Sequence, residues 1–170
     1  MKTGLFALLA LLGSLLCFGC DREGRPIQEF GLDKLTRGQS TEMDVRTVMG
    51  QPESVWEEND GSRVLEYPRG PEGYRTWMFT IDSQGKLVDW RQALTPENFA
   101  RVRPGMTKEE VRRLLGKPRT VAEFALKNEE VWDWRYLDAT QKPQLFNVHF
   151  DRGTGRVTGT SASPDPKANW

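Results

Sequence analysis

The 170-residue chain has one histidine and two cysteines, Cys17 and Cys20, both within its first twenty residues. One imidazole and two near-neighbour thiols cannot build a His-rich metal centre or staple a fold, so neither metal nor cofactor is expected. Charge of either sign is not in excess: 24 Lys+Arg stand against 24 Asp+Glu. Nothing therefore imposes the basic face that nucleic-acid binding needs. After residue 19 no apolar stretch approaches the ~20 residues of a membrane-spanning helix, which excludes a polytopic membrane protein. Catalytic signatures are missing too. There is no Gly-x-Ser-x-Gly elbow, no EF-hand spacing and no phosphate-cradling glycine loop. Without an elbow around it, His149 reads as a surface histidine on a strand face opposite the apolar one, and the chain is expected not to be an enzyme.

What the chain does have is a leader. Lys2 precedes a 14-residue apolar run, Leu5–Phe18. That run is too short to span a bilayer and of the right size for a signal-peptide core. It ends in Leu15-Leu16-Cys17-Phe18-Gly19-Cys20, and a small residue directly before cysteine resembles a bacterial lipobox, with Cys17 where leucine is usual. The resemblance implies cleavage between Gly19 and Cys20. It also implies a diacylglycerol thioether on Cys20 and acyl chains such as palmitate that anchor the protein to a membrane, facing the periplasm. Outer-membrane residence is expected; Asp21 leaves the inner membrane as the alternative. Residues 20–29 then form a lipidated, polar tether.

The rest of the sequence writes one pattern twice. Thr41–Pro52 (TEMDVRTVMGQP) and Thr107–Pro118 (TKEEVRRLLGKP) share Thr, Val, Arg, Gly and Pro at an offset of 66 residues. Each threonine can cap a helix, with Asp44 or Glu110 three residues on; the second pair has the capping-box form. Val45, Val48, Met49 and Val111, Leu114, Leu115 lie on one helical face. Gly50 and Gly116 suit the residue after a helix end, and a proline follows each. Period-two runs follow each helix. Ser54–Glu57, Arg63–Tyr67 and Tyr74–Ile81 follow the first; Arg119–Phe124, Glu130–Leu137 and Gln144–Phe150 follow the second. Glycine-containing turns then lead into a further strand. Upstream, Glu29–Leu35 and the Thr95-Pro96-Glu97 start are the candidates for an additional helix in each unit.

The expected fold class is α+β: two tandem units, each with two short helices packed on an antiparallel sheet of about three strands. The boundaries are 1–19 for the leader, 20–29 for the tether, 30–90 and 91–160 for the units, and 161–170 for a disordered tail. Units of ~60 residues are marginal alone, so the two are expected to contact each other.

Arg103–Pro118 (RPGMTKEEVRRLLGKP), Trp134-Arg135-Tyr136, Phe150-Asp151 and Gly155-Arg156-Val157 together resemble the SmpA/OmlA, or BamE-like, domain of small periplasmic lipoproteins. The first unit departs from the pattern, with one extra residue between Gly38 and Thr41. The resemblance implies a non-enzymatic adaptor that serves outer-membrane β-barrel assembly or another envelope protein complex. Tandem copies also resemble the layout of secreted β-lactamase inhibitor proteins. The alternative is therefore an inhibitor-type binding module for a periplasmic or secreted hydrolase.

Charge and aromatics supply the candidate contacts. Lys108, Arg112 and Arg113 read as a solvated helix face or a contact for anionic lipid heads. Trp77 and Phe79, and Trp132, Trp134 and Tyr136, read as core. Trp56, Tyr67, Tyr74 and Trp90, near strand ends and loops, are the candidate partner surface, because aromatics are favoured at interface hot spots.

Overall fold

The computed structural model describes residues 31–69 and 73–167. The expected leader, the expected Gly19–Cys20 cleavage site and the expected tether lie outside them. Residues 35–69 and 73–167 belong to one compact unit.

Within 35–170 the elements are α1 (Glu42–Met49), β1 (Ser54–Glu57), β2 (Arg63–Pro68), β3 (Thr76–Ile81), β4 (Leu87–Gln92), α2 (Pro96–Phe99), α3 (Lys108–Leu115), β5 (Thr120–Phe124), β6 (Glu129–Leu137), β7 (Pro143–Asp151) and β8 (Val157–Pro164). The strands form two separate antiparallel meanders, β1-β2-β3-β4 and β5-β6-β7-β8. The expected three strands per sheet are thus four. The glycine turns at Gly85 (φ 81°) and Gly155 (φ 65°) return the chain into full strands, β4 and β8. Helices are fewer than expected. Ahead of α1 the described residues hold only a 3-10 turn, Leu32–Lys34, which is too short to propagate a helix. In the second half α2 is a single capped turn.

The 161–170 tail also needs correction. Ser161–Pro164 completes β8, pairing Ser161 with Asn147 and Pro164 with Gln144. Asp165 is buried and bridges to Arg135, Nε to Oδ2 at 2.5 Å. A Ser/Ala/Pro composition carries little strand propensity; cross-strand pairing with the apolar β7 overrides it.

Local chemistry fixes the helix ends in the same way in both halves. Thr41 and Thr107 each accept from the third helical N–H, and Asp44 and Glu110 reach back to the cap N–H at 2.7 Å, so both are complete capping boxes. Gly38 N–H donates to Leu87 O (2.7 Å) as Gly105 N–H does to Val157 O (2.8 Å). The extra residue of the first half is taken up between these anchors, where the Ser40 hydroxyl accepts the Thr36 N–H. At the far end, Tyr67 Oη donates to Gly50 O and Trp134 Nε1 to Gly116 O, both at 3.0 Å. An aromatic donor on the second strand of each sheet therefore satisfies an orphan carbonyl at the end of each helix.

The core of the second half joins Val111, Leu114 and Leu115 of α3 to Trp134, Phe146, Val148, Phe150 and Val157 of the sheet, with Phe99 stacked on Phe146 at 4.2 Å. Leu65, Tyr67, Phe79, Ile81 and Leu87 are buried in the first sheet, and Val45 and Met49 are the buried residues of α1.

Candidate functional site

Alternation along β2 sends Leu65 and Tyr67 to one face of the first sheet and Glu66 to the other. That second face receives α3. Glu66 is fully buried. Its carboxylate accepts Arg112 Nη2 (3.2 Å), the Lys117 backbone N–H (2.7 Å) and Trp56 Nε1 (3.3 Å). Beside it, Arg113 pairs with Glu58 at 2.8 Å and stacks over Trp56, with its guanidinium carbon 4.9 Å from the ring centre. Lys117 reaches Glu53 at 2.5 Å. From β4, Arg91 donates to the Leu114 and Arg113 carbonyls, a cation at the negative end of the helix. Gly116 (φ 83°) lies so close to β3 that a Cβ would stand 2.6 Å from Thr76 Cγ2. So α3 buries its apolar face in the second sheet and its basic face on the first.

The basic cluster of α3 is thus half-buried against the two sheets rather than a freely solvated face. Arg112 and Arg113 hold the first sheet, and Lys108 pairs with Glu130 at 2.7 Å. Burial pushes the Glu130 carboxyl up, but bonds from Lys108 and Trp132 outweigh it and hold it below the ordinary range. One signal for this was available in the sequence: a glutamate inside an otherwise apolar strand, Val64-Leu65-Glu66-Tyr67, asks for a cation.

The four candidate contact aromatics divide between the faces of the first sheet. Trp56 is half-buried under Arg113 on the α3 side. Tyr67 is buried on the opposite face, edge-on to Phe79 at 5.5 Å, and burial pushes its phenol up to about 12. Trp90 shares that face, half-buried, with Arg37 stacked 3.8 Å over it. Tyr74 is half-buried in the β2–β3 connection, with the Arg135 guanidinium 5.8 Å from its ring. A cavity of about 310 Å³ opens nearby, lined by Glu53, Pro68, Lys117, Arg119, Leu94 and Trp134. Its cations are committed to partners: Lys117 to Glu53, and Arg119 to Asp133 at 2.6 Å.

The face of the second sheet turned away from α3 carries a polar row that the sequence did not reveal. His149 Nδ1 lies 2.9 Å from Glu129 Oε1, and its Nε2 lies 2.9 Å from Ser161 Oγ. Asn147 Nδ2 donates to Ser161 Oγ (3.3 Å) and Ser163 Oγ (3.2 Å). Reading 161–170 as a tail hid this row, because it takes Ser161 away from its neighbours. Among the described residues no cluster of three or more metal-ligating side chains is found, and no helix is long and apolar enough to cross a membrane.

The second half of the chain is similar to one known family. Residues 92–160, from the end of β4 into β8, match the family model described as the outer membrane protein assembly factor BamE domain. The match takes in α3 and its capping box, the Trp134 donor and three full strands of the second sheet, so the BamE-like pattern is one of caps, turns and core. No curated protein matches the chain. Among solved structures it is similar to a "putative beta-lactamase inhibitor protein" from Streptococcus mutans, at 11% identity, 73% of this chain, 82% of that one and TM-score 0.30. A DUF4309 family protein from Bacillus subtilis gives 18% identity, 77% and 82% coverage and TM-score 0.29. An extracellular protein containing a SCP domain from Bacillus anthracis gives 12%, 86%, 50% and 0.30.

Proposed function

We propose that this protein is a non-enzymatic lipoprotein adaptor of the cell envelope. In this reading the first half is a diverged copy of the BamE-like second half. Acylated Cys20 anchors the chain to the outer membrane with the folded part facing the periplasm. The partner is the β-barrel assembly complex or another envelope protein. The observation that carries the reading is the family match over residues 92–160. Consistent with it, the ion pairs of α3 are spent on holding the halves together. The outward aromatics remain the candidate contacts, with Trp90 foremost because no side chain of the second half covers it among the described contacts.

The test is affinity capture of the tagged, lipidated protein from crosslinked envelopes, read by mass spectrometry. Recovery of barrel-assembly subunits is expected. Recovery of a hydrolase in their place would turn the reading to the inhibitor-type module. Metabolic labelling with an acyl-chain probe checks the anchor: label lost in Cys20→Ser is expected, and an unlabelled wild type overturns it. Tyr67, buried beneath α1, is a core residue and not a contact; alanine at Trp90, Trp56 or Tyr74 is expected to weaken capture by about 1 kcal/mol or more.

A further inference from the structure

The row on the open face of the second sheet is arranged as a nucleophile with its base. A carboxylate only accepts hydrogen bonds, so the imidazole proton sits on Nδ1, facing Glu129. Nε2 is then the acceptor, and the Ser161 hydroxyl donates to it. Asn147 Nδ2 donates to Ser161 Oγ from the adjacent strand, which leaves the hydroxyl proton free to point at the imidazole. With the imidazole neutral, donors and acceptors match in this orientation.

The backbone enforces the arrangement. β7 and β8 pair Asn147 with Ser161 and His149 with Gly159. Because the residue opposite His149 is glycine, no side chain separates the imidazole from Ser161. A Cβ built on Gly159 would meet nothing within 4 Å, so the space beside Nε2 is open. Ser161 itself is exposed. Hydroxyl, base and orienting carboxylate are the elements of an activated serine.

We propose that Ser161 is an acyl-accepting nucleophile with His149 as its base and Glu129 as the residue that positions the imidazole. The substrates are activated acyl or phosphonyl donors. Ser161 Oγ attacks the electrophilic carbon or phosphorus, its proton passes to His149 Nε2, and the bond to the leaving group breaks. The leaving group departs with its electron pair and takes up the proton. The product is a covalent serine ester, formed once per chain without turnover, a reactivity that goes beyond the adaptor role without making the protein an enzyme.

The experiment treats the full-length protein in detergent with a fluorophosphonate and follows adduct formation by intact mass and peptide mapping. One adduct on Ser161 with loss of fluoride is expected. It is abolished in Ser161→Ala, slowed about 100-fold or more in His149→Ala and about tenfold or more in Glu129→Gln. Glu129→Asp is expected to recover part of the rate, and Ser83→Ala, in an exposed turn, to label like wild type. Circular dichroism confirms that each variant is folded. Absence of an adduct on wild type, or labelling that persists unchanged in His149→Ala, overturns the proposal.

Discussion

Glu66 is the residue that the rest of the molecule is built to accommodate. Taking a carboxylate out of water is costly unless every lone pair is met, and here a guanidinium, a backbone N–H and an indole N–H meet it. Glu66→Ala would leave Arg112 without its buried partner and is expected to destabilise the fold by about 3–5 kcal/mol, measured by urea unfolding. The double variant Glu66→Leu/Arg112→Met removes both charges and is expected to recover much of that loss. Tyr67 gives a second test at this scale. Its phenol is buried and donates to Gly50 O, so Tyr67→Phe is expected to cost about 1 kcal/mol. With the folded pKa raised to about 12, the native state holds its proton where the unfolded chain has released it. The stability linked to Tyr67 is thus complete below about pH 10 and is lost as pH rises toward 12, which titration of the phenolate absorbance will show.

At the scale of elements, α1 and α3 form a matched pair in unequal surroundings. Thr41→Ala and Thr107→Ala are each expected to cost about 1 kcal/mol through loss of the cap. Hydrogen bonds from Thr41 and Thr107, the backbone N–H first, hold Asp44 and Glu110 below their ordinary carboxylate values. The contribution of both boxes is complete above the unfolded carboxylate range and lost as pH falls through the lowered folded values. The urea midpoint of wild type should therefore exceed that of the Asp44→Asn/Glu110→Gln variant at about pH 7, and the difference should shrink as pH falls toward about 3. The glycines after the helices separate the two settings. A Cβ at Gly50 meets nothing within 4 Å, whereas at Gly116 it strikes Thr76 at 2.6 Å. Gly50→Ala is expected to cost about 1 kcal/mol from its positive φ alone, and Gly116→Ala clearly more, by thermal or urea unfolding.

Periodicity and caps made α1, α3 and the central strands legible, because each is written in local spacing. Three things were not. The ends of the sheets lay hidden because β8 draws its pairing from β7 rather than from its own composition. The seating of Arg112 depends on Glu66, 46 residues away, and that of Arg113 on Glu58, 55 residues away. The Ser161–His149–Glu129 row joins three strands that only the register brings together.

At the scale of the whole molecule, α1, the first sheet, α3 and the second sheet follow one another as layers. The second layer boundary is made of ion pairs and the third of apolar side chains. Since α3 completes both halves, residues 35–167 are expected to unfold in one cooperative transition, with coincident tryptophan fluorescence and circular dichroism curves. Two separated transitions would show that the halves stand independently. The sharing has an evolutionary consequence as well. A helix enclosed on two sides tolerates fewer substitutions than one enclosed on a single side, so α3 has little room to drift while α1 has more. The half that matches the family model, residues 92–160, is the half that contains the enclosed helix.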